Sequence, residues 1–187
     1  VSEYLSCAET AKLVRAALKK AFPGIKFSVR SHVYSGGASI NVRWTDGPSS
    51  KAVKAMAGAY SGGNFDGMID MAFSNSSWLM PDGSAALASS PGSTGSMGVY
   101  APYDHKAPAP GARKVRFGAD FVFCDKDWSI ETYTTAAKKV CADYGVELPE
   151  IKISGGPYIA NVWSIKVPNA DTDLGTLINR ELQQENA

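Results

Sequence analysis

The stretch KFSVRSHVYSGGASINVRW, residues 26–44, decides how this chain folds. Phe27, Val29 and Val33 alternate with Lys26, Ser28, Arg30 and His32. After Ser35-Gly36-Gly37, Ile40, Val42 and Trp44 alternate with Ser39, Asn41 and Arg43. A period of two sends successive side chains to opposite faces of a strand. Glycine supplies the positive φ that a tight reversal needs, so the stretch is expected to form a β-hairpin with one apolar and one polar face. Lys26, Arg30, His32, Asn41 and Arg43 then share the polar face and become the candidate partner-binding residues, since such groups together can contact phosphates or carboxylates. Any half-exposed sheet shows the same alternation, so the pattern alone leaves both readings open.

Upstream, Ser6 and Glu9 have the spacing of a capping box, and Cys7, Ala11, Val14, Leu18 and Ala21 recur at helical spacing until Pro23-Gly24. A helix is expected over about residues 7–22. Downstream, Asp46-Gly47-Pro48 ends the second strand, and Ser49 or Ser50 can cap a helix carrying Val53, Met56, Ala57 and Tyr60. The order is helix, strand, strand, helix. It returns near the other end: Ser129 caps a helix with Tyr133, Ala137, Val140 and Tyr144, which Gly145 ends. Ile151 and Ile153 begin a strand, Gly155-Gly156 turns it, and Ile159, Trp163 and Ile165 lie on its return. Pro168 then precedes a helix with Leu174, Leu177, Ile178 and Leu182. Trp44 follows Gly37 by seven residues, and Trp163 follows Gly156 by seven. Duplication accounts for these coincidences, and the alternative is that αββα is a common arrangement.

The expected fold is therefore α+β, with two tandem αββα units packed around antiparallel sheet. Residues 1–60 and 129–187 form the units, and residues 61–128 form an irregular Gly/Ser/Pro-rich middle segment; one compact domain overall is the other organisation. In that middle segment, Ser61 to Gly67 is expected to be a glycine-rich loop. Phe73 to Met80 reads as a strand closed by Pro81-Asp82-Gly83, with residues 84–90 returning from it. Residues 89–113 form a long loop. Val115, Phe117 and Phe121 to Phe123 mark another strand with a bend at Gly118.

The 187 residues and 19.8 kDa suffice for a sizeable core, with about 29,000 Å² of accessible surface unfolded and about 8,600 Å² folded. Hydrophobic residues at 44% and charged residues at 20% exclude disorder throughout and a collagen-like fibre. No run approaches the length of a membrane span, and the N-terminus lacks a basic region followed by an apolar run, so no membrane partner and no export are expected. Three cysteines without CxxC spacing fit reduced thiols in a cytoplasm, that of a bacterial host cell once the resemblance below is considered. The net charge of +1 hides a split. Residues 1–60 carry nine Lys or Arg against three acids, and the remainder carries ten against fifteen. A basic end of that size attracts nucleic acid or an acidic protein surface.

Catalytic signatures are weak. His32 and His105 have no cysteine or second histidine at ligand spacing, and Thr94-Gly95-Ser96-Met97-Gly98 has Thr where a nucleophile elbow needs glycine. No Gly-Lys-Ser/Thr ending marks a phosphate cradle. Asp66 with Asp70, or Asp125 with Asp127, would suit Mg²⁺ if they converged, but aspartate is also the ordinary residue of turns. No metal and no cofactor are expected. A diffuse active site near Asp66, Asp70, Asp120 or Asp125 stands as the enzymatic alternative.

The runs Ala8-Glu9-Thr10-Ala11-Lys12, Phe22-Pro23-Gly24, Tyr34-Ser35-Gly36-Gly37 and Val42-Arg43-Trp44-Thr45-Asp46-Gly47-Pro48 resemble the large polyvalent protein-associated domain of the αββα type. The resemblance continues through Phe65-Asp66-Gly67-Met68, Trp78-Leu79-Met80-Pro81-Asp82-Gly83 and Val115 to Phe123. It implies a phage, prophage or plasmid origin, and a non-catalytic module of proteins that enter a new host with mobile-element DNA and counter its defences. It supplies no catalytic residues. Two functions follow as expectations. The first is a non-enzymatic protein that binds and inhibits a host defence protein or protein–nucleic-acid complex, with an anti-CRISPR inhibitor as its sharpest form. The second is a nucleic-acid-binding accessory protein that protects or positions incoming DNA. Asp66, Asp70 and Asp82, as mimics of phosphates, are the alternative partner-binding residues.

Overall fold

The computed structural model describes residues 2–89, 107–154, 158–160 and 162–184. Most of the loop expected over residues 89–113, and the Gly155-Gly156 turn, lie outside the described residues. The chain divides into two compact units, one of Val1–Trp44 with Ser50–Asp125 and one of Thr45–Ser49 with Lys126–Ala187.

In the first unit, α1 spans Cys7–Ala21. The Ser6 Oγ accepts the Glu9 N–H at 3.3 Å and Glu9 Oε2 accepts the Ser6 N–H at 2.8 Å, which satisfies two donors that a helix start otherwise leaves unpaired. Cys7, Thr10, Ala11, Val14 and Leu18 form its buried stripe. Strands β2 (Ser28–Tyr34) and β3 (Gly37–Thr45) then pair antiparallel, from Ser28 opposite Arg43 to Tyr34 opposite Gly37. Gly36 takes a φ of 91°, which the two-residue connection requires. Helix α2 (Ser50–Ala57) and a 3-10 turn (Gly58–Tyr60) follow. The first αββα order is present as expected.

One expectation on β2 fails. Val33 shares a face with Val29 yet is 73% exposed, because β2 is an edge strand and the core covers its partner Ala38 on β3 without reaching Val33. Arg15 Nη2 donates to the Val29 carbonyl at 2.8 Å, which ties α1 to that edge.

The middle of the chain is more regular than the sequence suggests. Residues expected in a glycine-rich loop supply β4 (Gly63–Asp66), paired with β5 (Met71–Ser74). The single strand expected over 73–80 is cut at Asn75, whose N–H donates to the Gly62 carbonyl at 2.8 Å, and resumes as β6 (Ser76–Leu79). With β7 (Ala85–Ser89), β8 (Arg113–Phe117) and the N-terminal β1 (Glu3–Leu5), it makes a four-stranded sheet in the order β1-β8-β6-β7. The strand expected across Val115 to Phe123 is also two. After β8, the backbone at Gly118 passes so close to Leu5 that a Cβ would lie 2.6 Å from its carbonyl oxygen, and β9 (Phe121–Asp127) joins β2 and β3 instead. The sheets are not purely antiparallel: β1 runs parallel to β8. Leu18, Ile40, Val42, Trp44, Val53, Tyr60, Val115 and Phe117 anchor this unit's core.

The second unit holds α3 (Ile130–Tyr144), the short pair β10 (Lys152–Ser154) and β11 (Tyr158–Ala160), and α4 (Leu174–Gln184). Ser129 caps α3 by accepting the Thr132 N–H at 3.2 Å, and Gly145 ends it at φ 65°. Tyr133, Ala137, Val140, Leu174, Ile178 and Leu182 are buried together. The order helix, strand, strand, helix recurs, but the tryptophans are not equivalent. Trp44 lies inside β3 at 2% exposure, whereas Trp163 lies in a turn after β11 at 53%. Among the described residues the architecture is mixed α+β with four helices, and duplication into tandem units gains no support from it. A three-residue strand ends before Trp163, and glycine-to-tryptophan spacing does not encode strand length.

Candidate nucleic-acid interface

The hairpin register sets the expected polar face in place. Arg30 stands opposite Asn41, His32 opposite Ser39 and Ser28 opposite Arg43, and directly opposed residues share a face. Strand β9 extends this face on the other side of β3. The Asp120 N–H donates to the Ala38 carbonyl at 2.8 Å and the Asp46 N–H to the Asp127 carbonyl at 2.9 Å, so residue numbers rise together along the two strands and β9 runs parallel to β3; Arg43 Nε lies 3.8 Å from Asp125 Oδ2. Arg43, opposite Ser28 on β2, thus neighbours Asp125 on β9, and Phe123 and Phe121 precede Asp125 at the period of two that keeps side chains on one face.

The aromatic part of the face was not foreseen. Phe121 and Phe123 are 38% and 49% exposed, while Val122 and Cys124 between and beyond them turn inward to the core. Their ring centroids are 6.1 Å apart with planes 29° from parallel. Across the sheet, His32 and Tyr34 stack at 5.8 Å and 30°. The Tyr34 ring lies over Gly37, where a Cβ would come within 3.0 Å of it, so glycine at this position leaves room for the ring. The run Phe121-Val122-Phe123-Cys124 held the available signal. A strand apolar on both faces needs a second cover, and here only one face meets the core.

Of the expected partner-binding residues, Arg30, His32, Asn41 and Arg43 share this face, with Asn41 half-buried between the ring pairs. Lys26 lies two residues before β2 and is exposed. The alternative acids are not gathered into such a face. Asp66 is 1% exposed, with Oδ1 accepting the Met68 N–H at 2.9 Å, so it closes the β4–β5 turn rather than presenting a phosphate-like group. Asp70 lies on the same turn at φ 51°. Asp82 accepts the Ser84 N–H at 3.0 Å and its hydroxyl at 2.6 Å, and faces Lys20 at 3.4 Å. Hydrogen bonds from Ser84, then the Lys20 ammonium, hold its carboxyl down at about 2.

Among the described residues, no three His, Cys, Asp or Glu side chains gather to hold a metal ion. Asp125 faces Arg43, and Asp120 Oδ2 accepts the Ala38 N–H at 2.9 Å. Burial pushes the Cys7 and Cys141 thiols up, and burial followed by the Asp125 charge pushes Cys124 up to about 11. All three are therefore protonated at neutral pH and poor nucleophiles. A cavity of about 750 Å³ beside α1 and α2 is lined mostly by alanines with Leu13 and Met56, and its polar side chains are Lys20, Tyr60, Asp82 and Ser84.

The profile of large polyvalent protein associated domain 29 matches residues 5–129. The chain belongs to this family. The match includes all three strands of the aromatic and basic face and associates the chain with phage and plasmid proteins. Large polyvalent protein associated domain 29 thus ends at the cap of α3, and α3, β10, β11 and α4 lie beyond it. Comparison with curated proteins and with solved structures found no match. No helix among the described residues is long and apolar enough to cross a membrane.

Proposed function

We propose that this chain is a non-enzymatic mobile-element protein that binds nucleic acid in the cytoplasm of a bacterial host, protecting or positioning the incoming element. The observation that carries this reading is the outer face of the β2–β3–β9 sheet, where Arg30 and Arg43 lie among the exposed rings of Phe121, Phe123, His32 and Tyr34. Guanidinium groups attract phosphates, and exposed rings give bases a surface to stack on. Fluorescence anisotropy with labelled oligonucleotides at low and moderate salt tests it. Binding that weakens steeply with salt is expected, and no binding at low salt overturns the reading.

A second observation favours the inhibitor of a host defence component. The β4–β5 hairpin exposes Met68 at 69%, Ile69 at 49% and Met71 at 52%, which is an apolar tip suited to a protein pocket. In its sharpest form this is an anti-CRISPR inhibitor. Plasmid transformation into cells with active CRISPR interference is then expected to rise when the chain is produced, and to fall back with Met68→Ser and Ile69→Ser. Equal transformation with and without the chain rejects that form.

A further inference from the structure

The outer face of the β2–β3–β9 sheet differs from what a duplex-binding surface needs. Base identity in a duplex is read at base edges by an element that enters a groove, a helix or a β-ribbon. Here the functional groups lie on an open sheet. Phe121 and Phe123 point outward from one edge strand, and His32 and Tyr34 from the other, with Ser39, which is buried, and Asn41, which is half-buried, on the central strand between them. Strand spacing places the two edge strands about 10 Å apart, so one strand of nucleic acid crossing the sheet meets both ring pairs. A duplex laid on this face offers only phosphates. Its base faces are sealed in the stack, and four exposed rings would go unused.

Charge fixes the other half of the occupant. Lys26, Arg30 and Arg43 stand on or next to the face, against Asp125, which faces Arg43 at 3.8 Å with both side chains more than half exposed, and Asp127, two residues further along β9. An exposed pair of this kind exchanges readily for a phosphate. Asn41, half-buried between the ring pairs, presents an amide donor and acceptor to a base edge.

From this juxtaposition we propose that the outer face of the β2–β3–β9 sheet is a stacking platform for single-stranded nucleic acid: the Phe121/Phe123 and His32/Tyr34 ring pairs take bases, and Lys26, Arg30 and Arg43 take phosphates. The proposal rests on the nucleic-acid reading above and narrows it to one strand.

The test measures binding of the full chain to labelled 12-mer oligothymidine, 12-mer oligouridine and a 12-base-pair duplex. Either single strand is expected to bind at least about tenfold tighter than the duplex, and comparison of the two separates DNA from RNA. Phe121→Ala with Phe123→Ala is expected to weaken single-strand binding by at least about tenfold while leaving duplex binding within about twofold. Phe121→Tyr with Phe123→Tyr keeps the ring faces and should retain binding, which separates lost stacking from lost folding. Duplex binding equal to or tighter than single-strand binding overturns the platform and leaves the nucleic-acid reading standing. Unchanged single-strand affinity in the alanine double variant also overturns the platform. No binding to any of the three probes overturns both, and points to a protein partner for this face.

Discussion

A Cβ placed on Gly62 would stand 1.8 Å from the carbonyl oxygen of Phe117. The two backbones are drawn together because the Gly62 N–H donates to Ala119 at 2.7 Å and the Gly62 carbonyl accepts the Asn75 N–H at 2.8 Å. Unlike a clash with the end of a flexible side chain, one with backbone atoms has no local relief. Gly62→Ala is expected to cost at least about 3 kcal/mol, the upper end of overpacking effects. Urea unfolding measures it, and a loss within about 0.5 kcal/mol would show that the strands adjust freely.

The two tryptophans give opposite predictions. Trp44 is 2% exposed, with its ring 5.7 Å from Phe27, and Trp44→Ala should cost about 3–5 kcal/mol as a large-to-small core change. Trp163 is 53% exposed and its ring lies against Gly175 at the start of α4. Trp163→Ala should cost less than about 1 kcal/mol. Equal losses in chemical denaturation would restore the structural equivalence that their spacing suggested.

Local signals were legible where one residue acts on its own neighbourhood. Ser6 with Glu9, Ser129 and Gly145 announced helix ends that the structure places at Cys7, Ile130 and Tyr144. The alternation from Phe27 to Trp44 announced a hairpin whose register puts Arg30, His32, Asn41 and Arg43 on one face. What stayed hidden was partner choice between distant segments. Nothing near Glu3 says that Leu5 will pair with Phe117, and nothing near Gly118 says that β8 and β9 will enter different sheets. Phe121 and Phe123 read only as part of a strand for that reason, with no face assigned to them. Their exposure depends on which face of β9 the rest of the unit covers, and periodicity gives two faces without saying which one is buried.

Asp46 provides a pH-dependent test. Burial pushes its carboxyl up, but hydrogen bonds from Ser129 and Thr132, with the Lys126 charge, more than offset this and leave it below its ordinary 3.8. The Ser129 N–H donates to Asp46 Oδ1 at 3.1 Å. A carboxyl lower in the folded than in the unfolded chain stabilises above the unfolded value and loses that effect as pH falls through the folded one. Asp46→Asn, which tolerates the φ of 56°, should therefore be less stable than the parent at pH 7, with the gap closing below about pH 3.8. A gap that stays constant down to about pH 2.5 would remove Asp46 from this role.

The apolar hairpin tip separates the two functional readings. Met68 and Ile69 are exposed, so Met68→Ser with Ile69→Ser should change stability by no more than about 0.5 kcal/mol. Oligonucleotide affinity should stay within about twofold if nucleic acid binds only the β2–β3–β9 face. A tenfold loss in anisotropy would place the hairpin inside the nucleic-acid site.

Salt dependence distinguishes the charged groups of the face from its rings. Each phosphate neutralised on a single strand contributes about −0.7 to the slope of log K against log salt, so Lys26, Arg30 and Arg43 together imply a slope of about −2. Arg30→Gln with Arg43→Gln removes two of these contacts and should bring the slope to about −0.7 while lowering affinity by at least about tenfold at low salt. Phe121→Ala with Phe123→Ala removes stacking and no charge, so it should lower affinity and leave the slope near −2. The contrast lies in the pattern rather than in the size of either loss. A variant that merely unfolded would depress both quantities together. An unchanged slope in the arginine variant would mean that phosphates are held elsewhere, and the sheet face would not be the site.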